Sequence, residues 1–356
     1  MSEVRAKKAL GQHFLVDLNI ARKICDALSE GVRPEAGAET RAVAAGSADA
    51  DAETRTRVAG YAGAGAEART MAAGSADAGA EARTKATGTA DADAETRRGV
   101  AASADARLAA DTTAAGAPAA AEEERSGAVP CDVLEVGCGM GVLTQFLLRR
   151  GDITTYGAEI DPESVEYLHA HFPEFAPRLI EGDFLKMNLR ERFPRGLKII
   201  GNFPYNISSQ IFFKVLEHRD LVPECVGMIQ KEVAVRIAEP PGSKEYGILS
   251  VLLQAWYDIE YLFTVNETVF NPPPKVKSAV IRLRRNSVGR LGCDEALFVK
   301  VVKASFGQRR KMIRNSLRAV FGDFGGAEHP FFTQRAEQLS VADFVQLTDW
   351  VAANRK

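Results

Sequence analysis

The sequence predicts an α/β fold, a mostly parallel Rossmann-like sheet followed by a small all-α domain. Three observations predict it. Short apolar runs alternate with helical patterns up to about Leu283, the signature of βαβ units. A glycine-rich turn, Gly137-Cys138-Gly139-Met140-Gly141, directly follows the apolar run Val133 to Val136. Beyond Leu283 only helical patterns remain, with breaks at Gly322, Gly325 and Gly326.

The first element is a helix starting near Asp17, with Ile20, Ile24 and Leu28 on one face. The first strand of the sheet begins at Val133 and feeds the glycine turn. That turn opens a helix carrying Val142, Leu143, Phe146 and Leu147 at helical spacing. Glycines there let the backbone approach a ligand closely. The second strand ends in Tyr156-Gly157-Ala158-Glu159-Ile160-Asp161. Its acid, Glu159, stands about twenty residues past the turn, where a nucleotide-binding βαβ unit holds a ribose. The third, Leu179-Ile180, ends at Glu181-Gly182-Asp183-Phe184, where Asp183 either takes the amino group of an adenine ring or is a solvated strand-end acid. A fourth, Leu197, Ile199 and Ile200, ends at Asn202-Phe203-Pro204-Tyr205.

That tetrapeptide reads in two ways. Asn-x-Pro is ordinary turn chemistry. Equally, Asn202 offers a side-chain carbonyl to an exocyclic amine, Pro204 fixes φ, and Tyr205 offers a ring for stacking. The glycine spacing differs from the dinucleotide fingerprint G-x-G-x-x-G, and no Gly-Lys-Ser/Thr follows to make a phosphate loop. Glycine turn, ribose acid, base acid and Asn-x-Pro-Tyr in this order are expected of S-adenosylmethionine methyltransferases.

Residues 35–128 are different in kind. Arg41, Arg55, Arg69, Arg83 and Arg97 recur every 14 residues, within an approximate Gly-Ser-Ala-Asp-Ala-Asp-Ala-Glu-Thr-Arg unit. The unit has almost no large apolar side chain, so it cannot offset its ordering entropy by forming a core, and a disordered, mobile insert is expected. Lengthening a loop to this size costs only ~2 kcal/mol of closure entropy. The expected organisation is an N-terminal segment with the first helix over 1–34, the insert over 35–128, a catalytic domain over 129–285, and a helical RNA-binding domain over 286–356.

Net charge is −2, which taken alone argues against nucleic acid. The insert holds 10 basic and 16 acidic side chains, leaving 35 basic and 31 acidic elsewhere. Residues 270–320 carry 13 basic and 2 acidic side chains, the footprint of phosphate binding. Within them Phe306, Arg309, Arg310, Ile313, Arg314, Leu317 and Arg318 suggest one helix with an apolar seam and a basic face, solvated or on RNA. Five cysteines without C-x-x-C spacing argue against a zinc site or disulfide framework, and His169 and His171 read as surface residues; no metal is expected. No signal peptide or membrane-length apolar run appears, so a cytoplasmic protein with no membrane partner is expected.

The chain resembles the small-subunit ribosomal RNA adenine N6,N6-dimethyltransferase family. Matching segments are Lys8 to Leu15, Val133 to Thr144, Gly201 to Ser209, Gln230 to Ile237, Pro241 to Gly247, Phe270 to Val280 and Phe306 to Lys311. The resemblance implies S-adenosyl-L-methionine as cofactor, held by His13, Leu15, Gly137, Gly139, Glu159, Asp183 and Asn202. It implies target-base contacts at Asn202, Phe203 through its backbone carbonyl, Pro204, Tyr205 and Phe270. On residue type alone Phe270 reads as a core or turn phenylalanine before three prolines. RNA contacts fall on Lys275, Lys277, Arg309, Arg310, Lys311 and Arg314. His13 stands where the family usually has Asn, and Cys138 where it usually has Pro. The implied partner is small-subunit rRNA within the immature small ribosomal subunit, and the implied state a monomer. The activity expected is N6,N6-dimethylation of two adjacent adenines near the 3′ end of that rRNA, by in-line displacement. The rival expectations are a large-subunit rRNA adenine methyltransferase conferring antibiotic resistance, and a non-catalytic RNA-binding assembly or transcription factor.

Overall fold

A computed structural model describes residues 4, 6, 7, 10–31 and 130–355 of the chain. The described residues form one compact unit. The repeat-bearing stretch 35–128, expected to be mobile, lies outside the described residues.

The described chain opens with β1 (Phe14–Leu15) and α1 (Leu18–Asp26). Asp17 caps α1 by accepting from the backbone N–H of Asn19 and Ile20, which satisfies two of the donors left open at a helix start. Ile24 and Leu28 are buried on one face, as the spacing predicts. Then follow β2 (Cys131–Val136), α2 (Thr144–Leu147), β3 (Ile153–Glu159), α3 (Pro162–His171), β4 (Leu179–Glu181), α4 (Leu189–Arg192), β5 (Lys198–Asn202), α5 (Ser208–Glu217) and β6 (Glu224–Gln230). This is the expected βα alternation. The helix after the glycine turn is only four residues long, because turns occupy the chain up to Leu143.

After α6 (Lys231–Ala238) and α7 (Ile248–Gln254), the sheet is completed by β7 (Tyr257–Val265) and β9 (Ser278–Arg285), with the short β8 (Phe270–Asn271) between them. The seven-stranded sheet has the order β4-β3-β2-β5-β6-β9-β7. Strands β4 through β6 run parallel, whereas β9 is antiparallel to both β6 and β7. The strand order reverses between β2 and β5, and ligands of such sheets bind at the carboxyl ends of the strands beside that switch point.

Alternate residues point to opposite faces of a strand, and both faces here are covered. Leu134 and Ile199 enter one core with α5, α7 and the C-terminal helices. Val133 and Ile200 enter the other, with Ala21, Ile24 and Leu28 from the first helical segment. Because both faces are dry, all six residues of β2 are buried, including Asp132 and Glu135.

The C-terminal helices α8 (Glu295–Gly307), α9 (Ile313–Phe321) and α10 (Val341–Asn354) extend the first of these cores. The Phe298 ring meets Trp256 edge to face at 6.1 Å. The single helix expected across Phe306 to Arg318 is two. Helix α8 stops at Gly307, and α9 starts at Ile313, whose N–H donates to Gln334 O at 2.9 Å. The apolar seam persists across the break, since Phe306, Ile313 and Leu317 are all buried, but Arg309, Arg310 and Lys311 occupy the intervening turn. Helix α9 ends at Gly322, where φ is +81°. Among the described residues no helix is long and apolar enough to cross a membrane.

Candidate active site

A cleft opens where the switch point predicts it. Its lining includes His13, Leu15, Gly137, Gly139, Glu159, Asp183, Asn202, Pro204 and Tyr205, drawn from five separate stretches of chain. Gly137 follows β2 with φ +76° and donates its N–H to Ala158 O at 2.9 Å, which turns the backbone across the end of β3. Gly141 has φ +75°, and a Cβ there would run into the Phe172 ring. Cys138 is buried against Leu168 and Phe175, with its thiol on Glu135 O at 3.7 Å.

Glu159 is fixed by backbone. Its Oε2 accepts from Gly139 N–H at 2.8 Å, and its Oε1 from Ile160 and Asp161 N–H at 2.9 Å each. Burial raises its pKa above the usual carboxylate value, with those three bonds opposing. Asp183 accepts from Leu185 N–H at 2.9 Å, which folds the turn after β4 back on itself. Glu135 also lines the cleft. Complete burial pushes its carboxyl up to about 8, while a 2.6 Å bond from Thr144 Oγ1 opposes the shift and nearby Glu159 adds to it.

The N-terminal strand ties the other wall together. β1 pairs antiparallel with β8, setting Phe14 opposite Asn271 and Leu15 opposite Phe270. His13 Nδ1 lies 2.8 Å from Pro272 O, and the His13 ring lies 5.3 Å from the Tyr205 ring at a 31° tilt. The His13 carbonyl accepts from Asn202 Nδ2 at 2.9 Å. A carbonyl can only accept, so it dictates which end of the Asn202 amide faces it. Among the described residues nothing donates to Asn202 Oδ1, which is left to the cleft. On the opposite side Lys7 Nζ and Gln12 Nε2 both reach the buried Asp161 carboxylate, two residues beyond Glu159.

Two aromatic rings, those of Phe203 and Phe270, are buried outside the cleft lining, which is compatible with a role through the Phe203 backbone but not with stacking by Phe270. The Phe203 ring is buried between Gly201 and Gly227, edge to face with Phe212, so only its backbone can serve the cleft. Phe270, expected to stack on the target base, is 3 % exposed and packed with Leu15, Met228, Val265 and Val280. It is absent from the cleft lining, because pairing with β1 turns its ring into the core. The core alternative drawn from its residue type describes it here.

The basic residues divide into two groups. Lys275, Lys277, Arg310 and Lys311 are exposed. Arg309 instead donates to the Lys244 and Tyr246 carbonyls, and Arg314 pairs with Glu328 over the Phe332 ring. His169 lies at the surface, 2.9 Å from Glu181.

The pattern of the family described as ribosomal RNA adenine dimethylase matches residues 130–353, well over half of the chain. The chain belongs to this family. It is 61 % identical over 218 residues to ribosomal RNA small subunit methyltransferase A of Parabacteroides distasonis, covering 61 % of this chain and 81 % of that one. The same-named protein of Bacteroides thetaiotaomicron is 59 % identical over 221 residues, covering 62 % and 82 %. Among solved structures, a dimethyladenosine transferase from Plasmodium falciparum superposes with a TM-score of 0.53 at 26 % identity, covering 63 % of this chain and 90 % of its own. As a ribosomal RNA adenine dimethylase the chain is an enzyme, its sheet is the methyltransferase sheet, its methyl donor is S-adenosyl-L-methionine and its substrate is ribosomal RNA.

Sequence reasoning passed over several residues of this dimethylase cleft. Glu135 stands directly before the glycine turn, yet nothing in residue type announces a carboxyl without solvent. Gln12 lies in a segment singled out only by resemblance. Ser278, just outside the cleft and 2.6 Å from the Tyr205 hydroxyl, likewise stands in a segment, Phe270 to Val280, marked only by resemblance.

Proposed function

We propose that this dimethylase converts two adjacent adenines near the 3′ end of small-subunit rRNA to N6,N6-dimethyladenine, acting as a cytoplasmic monomer on immature small subunits. Relatives of about 60 % identity that carry the small-subunit name support that choice over the large subunit. The observation that carries the chemistry is the fixed Asn202 amide, whose carbonyl is turned toward the cleft by His13.

The cleft suits the methyl donor. Glu159 has four acceptor sites and three donors, which leaves a lone pair for a ribose hydroxyl. Asp183 Oδ2 lies 3.9 Å from Lys186 Nζ, and Asp183 accepts only one close backbone donor among the described residues, so it can take an adenine amino group. Leu15, Ile160, Phe184 and Leu185 line the cleft with apolar surface for a flat ring. When bound, S-adenosyl-L-methionine supplies an activated methyl group on a sulfonium.

The chain's own part is positioning. Adenine N6 is conjugated with its ring and becomes nucleophilic when drawn toward sp³ geometry. Asn202 Oδ1 and the Phe203 carbonyl hold the amine hydrogens, direct the lone pair, and stabilise the positive charge that develops. Tyr205 offers a ring on which the unstacked base regains ~1–3 kcal/mol, against an unstacking cost of a few kcal/mol. Alignment of this kind supplies at most ~7–11 kcal/mol of a barrier. The exposed Lys275, Lys277, Arg310 and Lys311 contact phosphate, and residues 286–356 serve as the RNA-binding domain.

The test uses labelled S-adenosyl-L-methionine, the full chain and immature small subunits, followed by mapping of the modified nucleotides. Label on two adjacent adenines near the 3′ end is expected. Label confined to large-subunit rRNA, or no transfer at all, would defeat the proposal.

A further inference from the structure

Tyr205 sits in the turn between β5 and α5, so no ladder of backbone hydrogen bonds holds it. A ring on two free torsions presents its face at a range of tilts. Here two contacts remove that freedom. The hydroxyl lies 2.6 Å from Ser278 Oγ, across 73 residues of sequence. The His13 ring packs beside it at 5.3 Å and is itself tied to Pro272 O.

Ser278 is an unusually firm anchor. It opens β9, the strand flanked on both sides, and in the register it lies opposite Gln230 of β6 and Val265 of β7. It is fully buried. Among the described residues its hydroxyl makes no other side-chain hydrogen bond, and the Tyr205 hydroxyl has no other partner. A buried hydroxyl needs a partner, so each of the two stabilises the position of the other.

We infer that Ser278 is a positioning residue for the methyl transfer: it holds the Tyr205 ring by its edge so that one face meets the target adenine at a single tilt. The inference rests on the proposed stacking of that adenine on Tyr205. Ser278 does not line the cleft. Its effect therefore falls on how the base is presented, while the donor site around Glu159 is untouched.

The test is a double-mutant cycle on the full chain with saturating S-adenosyl-L-methionine and immature small subunits. Ser278→Ala and Tyr205→Phe each remove one end of the bond and leave the ring in place. Each is expected to lower kcat/KM for the RNA about tenfold, a fraction of the loss that ångström-scale misplacement causes. Because both break the same bond, the double variant falls about tenfold as well, not a hundredfold. Binding of S-adenosylhomocysteine stays within about twofold of wild type in all three, whereas a general loss of structure would weaken it. Ser278→Thr keeps the hydroxyl and restores most of the rate. Single variants at wild-type rates, or a double variant whose loss is the product of the two, would overturn the inference. Tyr205→Phe stands on a part-exposed turn and decides the matter even if Ser278→Ala folds poorly. Tyr205→Ala separates the two readings: if it keeps full activity, stacking itself is wrong. If it is inactive while Tyr205→Phe and Ser278→Ala are not, only the role of Ser278 falls.

Discussion

Asn202→Ala removes the acceptor proposed to hold the adenine amine, and its consequences differ in size for rate and for stability. In the transition state the amine nitrogen becomes positive, so loss of the acceptor acts where charge develops. Removing one preorganised group of this kind costs ~2.7–4 kcal/mol, which is 10²–10³ in kcat. The ground state loses much less. The bond forfeited there is the 2.9 Å contact from Nδ2 to the His13 carbonyl. His13 is only half-buried, so water replaces the donor and the net loss is ~0.5–1.5 kcal/mol. Asn202→Asp divides the two effects. It keeps an acceptor toward the amine but sets a second carboxylate oxygen against the His13 carbonyl, so the side chain must turn away. Turnover with immature small subunits at saturating donor, beside calorimetric titration with S-adenosylhomocysteine, measures both. The expected result is a kcat loss of at least about a hundredfold in Asn202→Ala, with donor binding altered by less than about tenfold. A variant that turns over within about threefold of wild type would refute the reasoning, since no other side-chain carbonyl in the proposed mechanism accepts from the amine.

Four further outcomes follow from the same geometry. Lys198→Met removes the nearest cation from Glu224, whose carboxylate is 4 % exposed and pairs with Lys198 at 3.0 Å, and leaves it Arg284 at 3.5 Å and the bonds from Ser29; a stability loss of ~1–3 kcal/mol is expected by denaturant titration, with much of it recovered in Lys198→Met/Glu224→Gln, and no measurable loss contradicts the pairing. Burial holds the Glu135 carboxyl at about 8 in the folded chain, above its ordinary 4.5, so the folded state binds that proton more tightly. Its contribution is complete below pH 4.5 and is lost as pH rises toward about 8, by at most ~1.4 kcal/mol per pH unit; unfolding midpoints of Glu135→Gln should therefore gain on wild type between pH 5 and 8, and parallel pH profiles would exclude it. Arg310→Ala/Lys311→Ala should weaken RNA binding and flatten the slope of log K against log salt by ~1–2, whereas an unchanged slope removes this turn from the interface. Arg309→Ala is expected to act on stability instead, because its guanidinium brackets the 244–246 loop.

Much of this enzyme was legible before any coordinates. The glycine turn, the acids at Glu159 and Asp183, and Asn202 all stand at strand ends, where local periodicity and turn chemistry locate residues reliably. Parallel strands then carry all their carboxyl ends to one edge, so residues separated by 65 positions converge once the sheet forms. The basic stretch from Lys275 to Arg318 was equally visible as charge. Its division into exposed cations and bracketing arginines was not, since that depends on which carbonyls and acids pack beside the break at Gln308.

What the sequence by itself determined is therefore the βα order, the cleft's position and the residue types that face it. The tertiary structure alone decided the rest. The N-terminal strand crosses to β8, His13 orients Asn202 across 189 residues and binds Pro272 across 259, Ser278 anchors Tyr205, and the Phe270 ring turns into the core. The physical reason is range. Periodicity and turn propensity are properties of neighbouring residues, whereas these contacts arise only when distant segments compete for the same space beside the sheet.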